Sequence, residues 1–181
     1  MYFQLKRDKF IEVGIVEPED LPLHLSFMRG AVIKTRIDPM VFTTNATAQD
    51  SPPDYAGGSI PVMSQRFLTL LIQAGVDNLQ TFPIMIKSDV DGAVWDGFFA
   101  VNIVGLIQCA NLSASDYSEL FHDLYDFDVL AIDTTKTNDA LFFRLQESPS
   151  IIIMHKSVGK HLMENDPNQL LTGWDVEEII Q

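Results

Sequence analysis

Two long β-prone runs, Leu79 to Lys87 and Val94 to Ala110, follow one another with only Ser88-Asp89-Val90-Asp91-Gly92-Ala93 between them. That spacer is too short for a helical crossover, and its Asp-Gly pair suits the positive φ of a tight reversal. The two runs therefore pair antiparallel as a hairpin, the second bending near Asn102 or Gly105, where its apolar character breaks. Just before them, Ser64 to Gly75 carries a complete helix signal. Ser64 is the N-cap, Phe67, Leu70, Leu71 and Ala74 form one apolar stripe, Gly75 supplies the left-handed C′ residue, and Val76 follows as its hydrophobic contact. Further β-prone runs are Tyr2 to Lys6, Ala31 to Ile37, Met40 to Thr43, Val129 to Ile132, Leu141 to Leu145 and Ser150 to Met154, with a short helix from Ser157 to about Glu164. Leu21 to Met28 fits either a turn of helix or an irregular segment. Strands that succeed one another without regular helical crossovers imply an α+β fold, a mostly antiparallel sheet with a few packed helices.

A chain of 181 residues with 46% hydrophobic content can bury a core without metals or crosslinks. Thr44 to Pro61 is the one stretch that reads as a long loop, gathering Asn45, Asp50, Ser51, Pro52, Pro53, Asp54, Gly57, Gly58 and Ser59. The expectation is a single domain over 1–181 with a flexible loop over 45–61; the alternative is an N-terminal subdomain over 1–44. Cys109 is the lone cysteine, which excludes an intrachain disulfide. With charge arriving at Lys6 and no apolar stretch of signal or membrane-spanning length, a reducing cytoplasm and no membrane association are expected.

Lys and Arg total 12 against 25 Asp and Glu, a formal net charge of −13. Such a surface repels phosphates, so nucleic acid is not expected as a direct partner, while basic proteins are attracted. About half of the excess sits in Ser113 to Asp139, which holds Asp116, Glu119, Asp123, Asp126, Asp128, Asp133 and Asp139 against Lys136 alone. Within it Asp116, Glu119, Asp123 and Asp126 recur at spacings of three, four and three, with Leu120, Phe121 and Leu124 between them. At 100° per residue this spacing predicts an amphipathic helix over Ser115 to Asp126, capped by Ser113 or Ser115, with one acidic and one apolar face.

Catalytic patterns are absent from the sequence. It holds no G-x-S-x-G elbow, no phosphate-cradling glycine loop and no H-E-x-x-H pair. His24, His122, His155 and His161 are scattered, and the six-residue offset of the last two does not place both rings on one helical face. No metal and no cofactor are expected. Cys109 lies in an apolar β run and reads as a buried, inert thiol. Asn102 reads as a core residue that satisfies backbone groups. Arg144, between apolar neighbours, reads as solvent-facing on an alternating strand and paired with a carboxylate.

Several blocks together carry a resemblance: Val62 to Phe67, Leu70-Leu71, Ala74-Gly75-Val76-Asp77-Asn78-Leu79-Gln80, Phe82-Pro83, Gly97 to Gly105, Leu141 to Leu145, and Ser150 to Ile153. Over about residues 60–155 the chain resembles a bacterial family first catalogued as a domain of unknown function and later grouped with the immunity proteins of polymorphic toxin systems. Members are encoded beside secreted toxins, type VI effectors included, and protect the producing cell by binding the toxin. The resemblance implies a non-enzymatic toxin inhibitor, and it carries no catalytic residues to this chain. Joined to the charge, it makes Asp116, Glu119, Asp123 and Asp126 the candidate surface for a basic toxin domain. A second candidate is the 45–61 loop with Tyr55 as aromatic anchor. The alternative function is a small-ligand or structural module, with a pocket between the predicted hairpin and the helix from Ser64.

Overall fold

The computed structural model describes residues 1–19, 21, 26–37, 39–166 and 168–181. In chain order the elements are β1 (Tyr2–Arg7), β2 (Ile15–Val16), β3 (Met40–Thr44), β4 (Tyr55–Ala56), β5 (Val62–Ser64), α1 (Gln65–Gln73), β6 (Leu79–Ser88), β7 (Val94–Ile103), β8 (Leu106–Ile107), β9 (Asp116–Phe121), β10 (Leu124–Val129), β11 (Phe142–Leu145), β12 (Ser148–His155), α2 (Lys156–Asn165) and β13 (Trp174–Glu178). They build a six-stranded sheet in the order β2-β3-β6-β7-β5-β4, a five-stranded sheet in the order β13-β1-β12-β11-β8, and a separate β9–β10 hairpin. Pairing is antiparallel except for β3 with β6 and β8 with β11, so the α+β expectation holds.

The predicted hairpin is β6–β7, paired from Leu79↔Ile103 to Lys87↔Val94. The break expected near Asn102 or Gly105 is larger than a bend. Gly105, at φ 108°, ends the stay in one sheet, and the next residues, β8, join the other. Asn78 holds this crossing point: its amide donates to Val104 O at 2.9 Å and to Phe142 O at 2.8 Å. The two sheets are thereby bonded through one side chain.

α1 forms where its local signals place it. Ser64 Oγ accepts from Phe67 N–H at 3.1 Å. At the other end Gly75, at φ 94°, lets Gly75 N–H reach Ile72 O and Val76 N–H reach Leu71 O, the paired bonds of a Schellman motif. Phe67, Leu68 and Leu71 are buried, while Leu70 and Ala74 are partly buried against the same cluster. That central cluster draws Leu5, Phe142, Ile152 and Met154 from one sheet, Met63, Val101 and Ile103 from the other, and Val158 and Leu162 from α2. A second cluster, with Tyr2, Cys109, Phe143 and Ile153, covers the far face of the five-stranded sheet. A third, with Phe27, Phe42, Ile84 and Ile86, covers the far face of the six-stranded one.

α2 begins one residue earlier than Ser157, and its cap is His155, whose Nδ1 accepts from Ser157 N–H at 3.3 Å. Burial, the Met1 ammonium and Lys156 hold this imidazole below its ordinary 6.5, so the folded state favours the neutral, capping form. The stability from this cap is complete above pH 6.5 and is lost as pH falls below that through the lowered value. Asn caps a helix without titrating. Tm of the natural chain is therefore expected to fall more between about pH 7 and about pH 5 than that of His155→Asn. Equal falls in thermal melts of the two proteins would remove His155 as the titrating cap.

Three expectations are corrected. Ala31 to Ile37 forms no strand; its backbone is held instead by side chains, Gln80 bonding both Ile33 N–H and Ile33 O, and Asn102 donating to Ala31 O at 2.9 Å. The 45–61 segment is not an unattached loop: it contains β4, and its middle is bonded to the start of α1 and to Thr172. Asp54 fixes it: its carboxylate accepts from Ser64 Oγ and Arg66 at 2.6 Å each and from Thr172 N–H at 3.0 Å. Residues 1–44 form no separate subdomain, because β1 lies inside the five-stranded sheet and β2 and β3 in the six-stranded one. Of Leu21 to Met28, residues 22–25 lie outside the described residues, His24 among them. Among the described residues no helix is long and apolar enough to cross a membrane.

Candidate protein-binding surface

The acidic run from Ser115 to Asp126 is not a helix but the two strands β9 and β10, joined by His122 and Asp123. The alternation Tyr125-Asp126-Phe127 and the aromatic content favour a strand, and Asp123, at φ 61°, makes the reversal that a continuous helix would forbid. Register pairs Tyr117 with Phe127, Ser118 with Asp126 and Glu119 with Tyr125. Because side chains alternate, Asp116, Ser118 and Asp126 share one face, and Tyr117, Glu119, Tyr125 and Phe127 share the other. The four predicted acids thus do not form one stripe. Asp116 and Asp126 stand together, Glu119 is on the opposite face, and Asp123 is at the tip.

The aromatic face is self-supporting. Tyr117 meets Tyr125 edge-on at 5.0 Å between centroids, and Phe127 lies 5.9 and 6.0 Å from the two. Phe127 then packs on the cluster of Cys109 and Phe143, and Tyr125 N–H donates to Glu147 O at 2.8 Å, which attaches β10 to the β11–β12 turn. All six residues of β9 are exposed, and Leu120 and Phe121 are 62% and 77% exposed. No Lys or Arg occurs between Ser113 and Thr135. The result is a projecting hairpin that is acidic and apolar together.

Two clefts of about 340 Å³ each adjoin it. One is polar, with Asp123, Tyr125, Lys136 and Glu147 on its walls. The other is mostly apolar, with Met28, Leu120, Leu124 and Pro149. Glu147 lines both; one of its oxygens accepts from Ala110 N–H at 2.9 Å, and the other is buried without a partner among the described residues. Sequence reasoning gave Glu147 no role, since nothing around it in sequence marks it.

Tyr55 is misassigned as a surface anchor. It lies in β4, is 2% exposed, and stacks on Phe67 at 5.7 Å in the central cluster. Burial raises its phenol above its ordinary range. Arg144, expected on the solvent side with a carboxylate, is fully buried beside it. Its guanidinium donates to Pro149 O at 2.5 Å and Ser59 O at 3.5 Å, and no carboxylate pairs with it among the described residues. Burial pulls it down to about 10, so it stays charged near neutrality. It works as a strut between the β4–β5 turn and β11. Asn102 bonds Ala31 O and Gln80, the core role expected of it.

Cys109 is buried, and burial with Glu147 nearby pushes its thiol up to about 12, which leaves it protonated and unreactive near neutrality. His122 is exposed at the hairpin tip, His155 caps α2, and His161 bonds Asn165 within α2. These rings are not brought together. Among the described residues no three His, Cys, Asp or Glu side chains are grouped to hold a metal ion. The pocket envisaged between α1 and the β6–β7 hairpin is filled by Phe67, Leu71, Val101 and Ile103, all fully buried. No family model matches the chain, and no curated protein matches it.

Proposed function

We propose that this chain is a non-enzymatic inhibitor of the immunity type, which binds a basic protein domain through the β9–β10 hairpin. The projecting hairpin carries the reading: it joins Asp116, Glu119, Asp123, Asp126 and Asp128 to exposed Leu120 and Phe121 with no Lys or Arg among them. Acids provide long-range attraction and register, and the apolar residues provide area that leaves water on binding. A toxin that works on nucleic acid must be basic where it grips phosphates, so the same surface suits it. The resemblance over residues 60–155 supports this class of partner, and a reducing cytoplasm suits the single buried Cys109.

The test is co-expression with the product of the adjacent upstream reading frame, scored by growth rescue and co-purification. Rescue with a stable complex is expected. Reversal of Asp116, Glu119 and Asp126 together to Lys is expected to weaken that complex about 100-fold, mainly through a slower on-rate, and to flatten its salt dependence. These side chains make no hydrogen bond or ion pair within the chain among the described residues, so the circular dichroism of the variant should be unchanged. Unchanged affinity and salt dependence would dismiss the acidic hairpin as the docking surface.

A further inference from the structure

β9 is an edge strand that pairs, among the described residues, with β10 alone. Among the described residues, none of Asp116 to Phe121 makes a backbone hydrogen bond outside the hairpin. In a strand paired on one side only, alternate residues turn their N–H and C=O groups outward. β9 therefore offers a row of free donors and acceptors along roughly 20 Å of edge. Proteins blunt such edges with Pro, with a covering loop or with charge. β9 has no Pro, no described residue pairs with its outer edge, and its guard is acidic: Asp116 and Glu119 on the strand, Asp126 beside it.

That guard selects by charge. Two β9 edges laid together would oppose carboxylates to carboxylates, so a second copy of the chain is repelled. A basic strand meets no such row of like charge: Lys or Arg opposite Glu119 completes a cross-strand ion pair, and the alternation then puts apolar side chains on the opposite face, that of Leu120. Leu120 of β9 also forms a wall of the apolar cleft with Leu124, Met28 and Pro149, where a side chain of an added strand can rest. Main-chain bonds for affinity and a side-chain pocket for selectivity are the two parts of recognition by strand addition.

We infer that β9 is a template for strand addition: an extended segment of a basic partner, about six residues with Lys or Arg alternating with apolar side chains, pairs along Asp116–Phe121. The inference rests on the protein-binding reading above and specifies its mode. The test titrates the full, isotope-labelled chain with an acetylated, amidated octapeptide that alternates Lys or Arg with Val, followed by NMR. Three comparison peptides accompany it: a Glu-for-Lys/Arg version, and two versions N-methylated on alternate amides in opposite phases.

Saturable shifts confined to β9, β10 and the cleft walls around Met28 and Pro149 are expected, with slowed amide exchange along β9. One methylation phase should bind like the parent and the other at least tenfold more weakly, and the acidic peptide should not bind. Shifts elsewhere, equal binding by both phases, or binding of the acidic peptide would overturn strand addition. So would a concentration-dependent dimer of the free chain with β9 amides protected, which would assign the edge to self-pairing. The two readings fail separately. Growth rescue with no phase dependence keeps the inhibitor and removes the strand mode, whereas phase-dependent peptide binding without rescue keeps the edge and removes the inhibitor.

Discussion

Gly173→Ala is expected to cost about 4 kcal/mol or more and to lower Tm by roughly 10 °C. Gly173 has a φ of 88°, and a Cβ there would lie far inside van der Waals contact distance of the Tyr55 carbonyl oxygen and 2.6 Å from Pro53 Cβ. The left-handed backbone alone costs a non-glycine residue about 1 kcal/mol or more. The larger part comes from the near neighbour being backbone, because Tyr55 N–H bonds Thr172 O and so cannot move away without breaking β4. Asp8 N–H donates to Gly173 O at 3.0 Å, so displacement also disturbs the end of β1. Thermal and urea unfolding of the variant provide the measurement. A loss below about 1 kcal/mol would mean that the 170–174 segment rearranges freely, and the pinned view of residues 45–61 would fall with it.

Asp54→Ala is the second large effect, about 3 kcal/mol, corresponding to a Tm lower by roughly 6–12 °C. Asp54 is 8% exposed and serves partners from three places in the chain: Ser64 Oγ, Arg66, and the backbone N–H of Thr172. Truncation leaves the Ser64 hydroxyl and the Thr172 amide without an acceptor in a site that water does not readily reach. The ion pair itself adds less, since the Arg66 side chain is half-exposed and keeps its bond to Leu170 O. Ser64 connects this knot to α1, because the same oxygen that donates to Asp54 accepts from Phe67 N–H. Ser64→Ala and Asp54→Ala should therefore be non-additive by about 1 kcal/mol in a double-mutant cycle. Simple additivity would separate the cap from the knot.

What could be read from the sequence was whatever is decided within a few residues. α1 carries its own start, stripe and stop in Ser64, Phe67–Leu71 and Gly75, and the β6–β7 reversal is written in Asp91-Gly92. Residues 45–61 mislead because composition reports only local preference. Asp54 within them is bonded to Thr172, more than 100 positions away, and no window of sequence contains both. The same holds for Tyr55 and Arg144, whose burial follows from two sheets meeting.

The acidic segment failed for a different reason. Acids at spacings of three and four satisfy a helix, yet Asp116 and Asp126 also occupy one face of a hairpin once the chain reverses at Asp123. The β-favouring Tyr117, Phe121, Tyr125 and Phe127 were the competing signal, and they outweigh charge spacing because three of them pack as a cluster. The charge of the segment is thus legible in the sequence and its shape is not. The correction matters for mechanism, because an open strand edge can bond a partner's backbone and a helix face cannot.

β1 sits between β12 and β13, with Leu5 opposite Ile152 on one side and Val176 on the other. Once made, β1 must wait for about 150 further residues before either neighbour exists, on the order of ten seconds at usual elongation rates. During translation Tyr2 to Arg7 is an unpaired, apolar-rich strand, while α1 and the β6–β7 hairpin can already close from local contacts. The five-stranded sheet therefore assembles only after β12 is made, and a stalled or shortened product lacking β12 would expose β1 to chaperones and proteases. The fold of this sheet is complete only when synthesis has passed β13.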